Sequence, residues 1–207
     1  MINQKKVING TIAEITSTAI SYPINTIKTN AQIHNPVPKN LFKGFHYSFF
    51  NEIVNGLVFY STVEKLKDKV PNTFIRNACG SIAAMACSHP LYIRRKLAQV
   101  NKPINISNNY AGFGVCVLNG VPGTAINLGL KEVISKRTRL GVFSGFLSTS
   151  ITTILTHPLD ILTTCVLTRT PVKGVFKFNG IGQRLIEKNL TLGTKLMLLD
   201  YLNSKNK

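Results

Sequence analysis

The chain has 207 residues, with 25 Lys and Arg against 8 Asp and Glu for a net charge of +17, yet only 16% of its residues are charged. Hydrophobic residues make up 44% and the mean hydropathy is +0.12. A disordered basic tail would be poorer in apolar residues, and a small soluble nucleic-acid binder would need more charge to cover its surface, so the balance argues against both and points to a membrane protein.

Stretches nearly free of charge mark six predicted helices in chain order. Residues 7–27 carry one charge, Glu14, and residues 44–63 carry one, Glu52. Residues 77–93, 103–130 and 140–159 carry none. The last segment, 181–199, is the most polar, with Glu187, Lys188 and Lys195. All six contain Gly, Ser, Thr, Asn or Pro, the composition of helices that pack closely on one another and line a polar interior. They are too long, and too lacking in period-two alternation, for strands. Residues 1–6 are polar and run into the first segment without a small-residue cleavage site of the secretory kind, so no removable leader is expected. The cysteines at 79, 87, 116 and 165 form no Cys-x-x-Cys pair, which leaves zinc and thioredoxin-like chemistry without support.

The segments repeat. Pro23-Ile-Asn25-Thr-Ile-Lys28, Pro90-Leu-Tyr92-Ile-Arg94-Arg95 and Pro158-Leu-Asp160-Ile-Leu-Thr163 lie 67 and 68 residues apart. Each follows a hydroxylated residue and a ring: Ser21-Tyr22, Ser88-His89 and Thr156-His157. Phe42-Lys43-Gly44, Tyr110-Ala111-Gly112 and Phe178-Asn179-Gly180 recur every 68 residues, as do the acids Glu64, Glu132 and Asp200. One such proline could merely kink a helix; three features in one register read as three two-helix units, 1–70, 71–138 and 139–207. His89 and His157 share a repeat position next to the prolines, which is better explained by packing than by a metal. The sequence holds no Ser-His-Asp order, phosphate-cradling glycine loop or paired carboxylates that would suggest an enzyme.

These residues resemble the mitochondrial carrier family, whose three repeats each carry a Pro-x-[Asp/Glu]-x-x-[Lys/Arg] signature and an aromatic-[Lys/Arg]-Gly element. The resemblance covers essentially the whole chain. It implies an all-α integral membrane barrel of six helices with three-fold pseudosymmetry around one solute site, acting as a monomer and most plausibly placed in the mitochondrial inner membrane. Pro23, Pro90 and Pro158 match the kink prolines, and Gln32 and Gln99 the bracing glutamines, with Leu167 in the third place. Gly10 and Gly145 match the first glycine of the odd-helix Gly-x-x-x-Gly, where the middle repeat has Asn77; Glu14, Ser81 and Thr149 fill the second small position.

The resemblance also maps two gates. On the matrix side Asp160 would pair with Lys28, Asn25 would face Arg95, and Tyr92 would face Thr163. Each repeat has lost a charge, which predicts a weaker gate than three salt bridges would make. On the cytosolic side only Glu64 and Lys67 keep the acid and base three residues apart; Glu132 and Asp200 keep the acid and lack the base. Phe/Tyr-x-Gly turns at Gly44, Gly112 and Gly180 would offer backbone N–H groups to an anion, where the family binds cardiolipin. No other cofactor, no metal and no nucleic acid is expected.

The resemblance further implies solute contacts about thirteen residues before the acids, which here are Asn51, with Glu52 beside it; Asn119 and Gly120; and Glu187 and Lys188. Amides at 51, 55 and 119 would hydrogen-bond a base, sugar or amide. Gly120-Val121 is similar to the Gly-aliphatic pair of nucleotide carriers with a one-residue shift, and this, with the positive balance, favours an anionic metabolite, nucleotides first. An amino-acid-type carrier and a non-transporting carrier-like scaffold remain open alternatives. Glu14, near mid-helix, reads equally as a ligand for solute or proton and as an interhelical bond partner. Only 21–22 residues separate each proline signature from its aromatic-x-Gly turn, so the matrix surface helix of the family is expected to be reduced or absent in all three units.

Overall fold

A computed structural model describes the backbone of residues 4–104, 109–138, 141–172 and 178–204. The described chain is helical: α1 (Gln4–Gln32), α2 (Phe45–Leu66), α3 (Thr73–Gln99), α4 (Phe113–Thr138), α5 (Gly141–Leu155), α6 (His157–Leu167) and α7 (Ile181–Ser204). The helices pack in chain order, α1 on α2, α2 on α3, α3 on α4 and α4 on α5 and α6, and α7 packs on both α5 and α1. The contacts thus close a ring. The links 33–44, 100–112 and 168–180 hold no helix among their described residues.

Six predicted segments become seven helices because the fifth breaks. α1 and α3 run through Pro23 and Pro90. Pro158 instead falls in the first turn of α6, and α6 leaves α5 at 59°. A proline removes one ladder hydrogen bond and crowds the carbonyl four residues earlier. What distinguishes the third site is Arg184 on α7, whose Nη1 donates to Thr153 O at 2.9 Å and Nη2 to Thr156 Oγ1 at 3.0 Å. Those acceptors sit at the break, and the guanidinium satisfies them where the helix ladder is interrupted. Ser48 and Cys116 hold the corresponding places and reach no such distance.

The same joints recur in the register of the sequence. α1, α3 and α6 each end with a residue at positive φ, His34 (57°), Asn101 (58°) and Arg169 (50°). At each end a backbone N–H reaches back five residues, Asn35 to Asn30 at 2.9 Å, Lys102 to Leu97 at 3.0 Å and Thr170 to Cys165 at 2.9 Å. This is the Schellman ending, which satisfies carbonyls a helix end leaves orphaned. Downstream, Gly44, Gly112 and Gly180 have φ of 81°, 71° and 77° just before α2, α4 and α7, a conformation that glycine adopts without strain. Tyr22 Oη donates to Lys43 O at 2.8 Å; Nε2 of His89 and of His157 meets Ala111 O at 3.0 Å and Asn179 O at 3.1 Å. Each of these rings also stacks on the aromatic of its turn, Phe42, Tyr110 or Phe178. Tyrosine and histidine therefore perform one structural task, tying α1, α3 and α6 each to the turn that starts the next helix.

Burial is inverted relative to a soluble core. Among the described residues, buried polar and charged side chains outnumber buried apolar ones by about two to one, while Met197, Phe143, Leu118, Leu155 and Ile186 are each at least 60% exposed. Soluble domains bury Leu, Ile, Val and Phe first. Within the described residues no single helix is long and apolar enough to cross a membrane; the bent α5–α6 pair meets that measure together. A polar inward face lowers each helix's average hydropathy even where its outward face is apolar.

Candidate functional site

The ring encloses a cavity of about 470 Å³, within the range of small-molecule sites. Helices α1 to α7 all contribute to its wall. Asn51, Asn55, Asn119, Gly120, Glu187 and Lys188 all line it, as do Asn25, Lys28, Tyr92, Arg95, Asp160 and Thr163. Asn51 is buried; its Nδ2 donates to Glu52 Oε1 at 3.2 Å, and its Oδ1 has no partner among the described residues.

Charges meet deep in the ring, in a pattern that spacing alone does not give. Lys28 Nζ lies 3.4 Å from Asp160 Oδ2 and 3.0 Å from Glu187 Oε2. Asp160 Oδ2 also takes the Gln32 amide at 2.6 Å and an ionic contact with Arg184 Nε at 3.3 Å. Asn25 does not face Arg95. Its Nδ2 donates to Glu187 Oε1 at 2.8 Å and its Oδ1 accepts from Gln99 Nε2 at 3.0 Å. Arg95 turns to α2, where Nη1 reaches Ser48 Oγ at 3.2 Å and Glu52 Oε1 at 3.3 Å. The physical reason is charge: a buried guanidinium gains more from a carboxylate than from an amide, and Glu52 is within reach. The acid absent from the α1 signature at Asn25 is thus supplied to Arg95 by Glu52 of α2, and Glu187 of α7 gives Lys28 a second acid beside Asp160.

Tyr92 and Thr163 do not bond to one another. Thr163 Oγ1 donates to Leu159 O at 2.8 Å within its own helix, and the Tyr92 ring carries the Arg95 guanidinium 4.7 Å from its centroid, a cation–π contact.

Gln32 joins α1 to α6, donating to Asp160 and accepting from Thr164 Oγ1 at 2.7 Å. Gln99 joins α3 to α1 through Asn25 and through Thr26 Oγ1 at 3.2 Å. Leu167, in the third such position, packs with Ile93, Leu97 and Cys116, an apolar contact in place of a hydrogen bond.

A separate pair lies further toward the other end of α1. Glu14 Oε1 meets Lys195 Nζ of α7 and lies 3.5 Å from Tyr60 Oη of α2. At the far ends of the even helices, Glu64 is half-buried and Lys67 is exposed, with no ion pair between them among the described residues. The side chains of Glu132 and Asp200 lie outside the described residues.

Arg184 and Lys96 escaped the sequence reading. Arg184 stands in register with Ser48 and Cys116, and Lys96 with Thr29 and Thr164. A charge at one repeat position where the other two are small and uncharged was the available signal. Lys96 is 1% exposed and donates to Thr29 Oγ1 at 2.8 Å.

No family model matches the chain. It is similar to the probable S-adenosylmethionine carrier 2, chloroplastic, of Arabidopsis thaliana, at 22% identity over 215 aligned residues covering 83% of this chain and 61% of that protein. It is also similar to mitochondrial carrier-like protein L276 of Acanthamoeba polyphaga mimivirus, at 22% identity over 146 residues covering 64% of this chain and 61% of that protein. The chain therefore spans about three fifths of the length of the curated relatives it matches. Beside the repeated joints and the polar ring, these are weak likenesses to carrier proteins over much of the chain.

Proposed function

We propose that this chain is a membrane solute carrier that moves a small metabolite by alternating access across an organelle membrane, the mitochondrial inner membrane in the first place. The observation that carries this reading is the inverted burial: a polar, charged cavity inside a ring whose exposed positions include many large apolar side chains. A soluble fold gains nothing from this arrangement, whereas a lipid-embedded ring needs it. In this reading residues 1–70, 71–138 and 139–207 are three repeats. Lys28, Asp160, Arg184, Glu187, Arg95 and Glu52, braced by Gln32 and Gln99, close one end. Glu64, Lys67, Glu132 and Asp200 belong to the other. The turns at Gly44, Gly112 and Gly180 seat phospholipid phosphates.

The cavity revises the expected solute. Its described lining holds four cations, Lys28, Arg95, Arg184 and Lys188, and four acids, Glu14, Glu52, Asp160 and Glu187. A polyanionic nucleotide would need an excess of cations; a balanced wall suits a solute bearing both signs. S-adenosylmethionine, named in one relative, is of that class, with a carboxylate, an ammonium and a sulfonium.

The experiment is exchange in proteoliposomes loaded with labelled S-adenosylmethionine, ATP, arginine or glutamate. The proposal expects protein-dependent exchange of a zwitterionic or cationic solute. Folded protein that exchanges none of the four above protein-free liposomes would mark it as a scaffold instead.

A further inference from the structure

Glu14, Tyr60 and Lys195 form a charged contact that the gate and the expected solute contacts do not use. Gly10, one turn before Glu14, makes room for it: a Cβ there would lie 2.5 Å from the Tyr60 ring, so the missing side chain lets that ring lie against α1. The Lys195 ammonium touches Glu14 Oε1 and lies 5.8 Å from the centroid of the Tyr60 ring. A carboxylate beside an aromatic ring is the chemistry that recognises organic cations, and here the chain's own ammonium occupies it. Glu14 belongs to the wall of the cavity. The side chains of Lys195 and Glu14 are 27% and 20% exposed, against 4% and 9% for Lys28 and Asp160. This ammonium is therefore the more readily displaced of the two, and its four-carbon stem lets the charge swing away into water.

We propose that Glu14 and Tyr60 form a receptor for the cationic group of the solute, an ammonium or sulfonium, and that Lys195 is its internal placeholder, released when the solute binds. The inference rests on the carrier reading above and adds the site and charge of the group that is recognised. In the empty protein Lys195 keeps Glu14 paired; in the loaded protein the solute takes that role.

The test is binding to the full chain in detergent, read by thermal-shift titration, with S-adenosylmethionine and with S-adenosylhomocysteine, which lacks the methyl group and so the sulfonium charge. Wild-type protein is expected to prefer the charged ligand. Lys195→Gln removes the competitor and should widen that preference by up to about fivefold, the worth of one partly exposed ion pair. Glu14→Gln should abolish the preference. Tyr60→Leu, which leaves both charges in place and paired, should reduce it and keeps the test open if a charge variant fails to fold. Equal binding of the two ligands, or Lys195→Gln and Glu14→Gln changing the preference in the same direction, would show a plain interhelical strut and overturn the receptor. In that case exchange in proteoliposomes would still stand. Loss of all exchange in wild-type protein would overturn the carrier reading and the receptor with it.

Discussion

Asp160→Asn is the sharpest probe of the buried network. The substitution keeps shape and volume and removes one charge. Asp160 Oδ2 is met by Gln32 Nε2 at 2.6 Å, Arg184 Nε at 3.3 Å and Lys28 Nζ at 3.4 Å. The four buried members Lys28, Arg184, Asp160 and Glu187 sum to zero formal charge, with the half-exposed Lys188 3.8 Å from Glu187 at their edge, and asparagine leaves the buried four at one positive charge. An uncompensated buried charge costs about 3–5 kcal/mol. Lys28 keeps Glu187 at 3.0 Å and Arg184 keeps Thr153 O and Thr156 Oγ1, which places the cost at the lower end, about 3 kcal/mol. At about 2–4 °C per kcal/mol for a chain of this size, the melting temperature of the purified protein should fall by about 6–12 °C. Arg184→Gln added to Asp160→Asn restores the balance and should recover at least half of the fall. A drop below about 2 °C, or a double variant no better than the single, would refute the idea that one carboxylate oxygen neutralises both cations.

Three further outcomes are expected. Tyr22→His should be tolerated better than Tyr22→Leu by about 1 kcal/mol in thermal unfolding, because His89 and His157 already make the equivalent bond to a turn carbonyl. Gly44→Ala should cost more than Gly180→Ala: both have positive φ, but a Cβ at 44 would sit 2.6 Å from Ala98 Cβ, whereas at 180 its nearest neighbour is Lys28 O at 3.3 Å. Stability measured for the two variants gives the order directly. Lys96→Met should be neutral or stabilising, by up to about 1 kcal/mol, since among the described residues the buried ammonium has Thr29 Oγ1 as its hydrogen-bond acceptor; a loss of melting temperature would mean that the neighbouring acids compensate it.

The joints were legible in the sequence because they are local. The 68-residue register placed Gly44, Gly112 and Gly180 before the second helix of each unit, α2, α4 and α7, and each adopts the positive φ that only glycine takes freely. The resemblance to the carrier family, carried over by counting along the chain, named residues that line the cavity, among them Asn51, Asn119 and Glu187. The partners were less legible. Arg95 chose Glu52 and Asn25 chose Glu187, because side chains on neighbouring helices compete for each charge and that competition is settled in three dimensions. The break at Thr156 was hidden for the same reason: Pro23 and Pro90 hold the same repeat position and leave their helices whole, and at the third site Arg184 reaches in from another helix.

The balanced wall of the cavity has an electrical consequence. In the proposed carrier, the four cations and four acids of the described lining are fixed to the helices and supply no net countercharge to the solute. A solute with one net positive charge would then carry that charge through the membrane field alone. A field of 100 mV acts on one charge with about 2.3 kcal/mol, so an energised organelle would draw such a solute inward without a second gradient, with about a tenfold bias for every 60 mV. Exchange for a neutral product would be electrogenic, and a potassium diffusion potential set with valinomycin would change its rate.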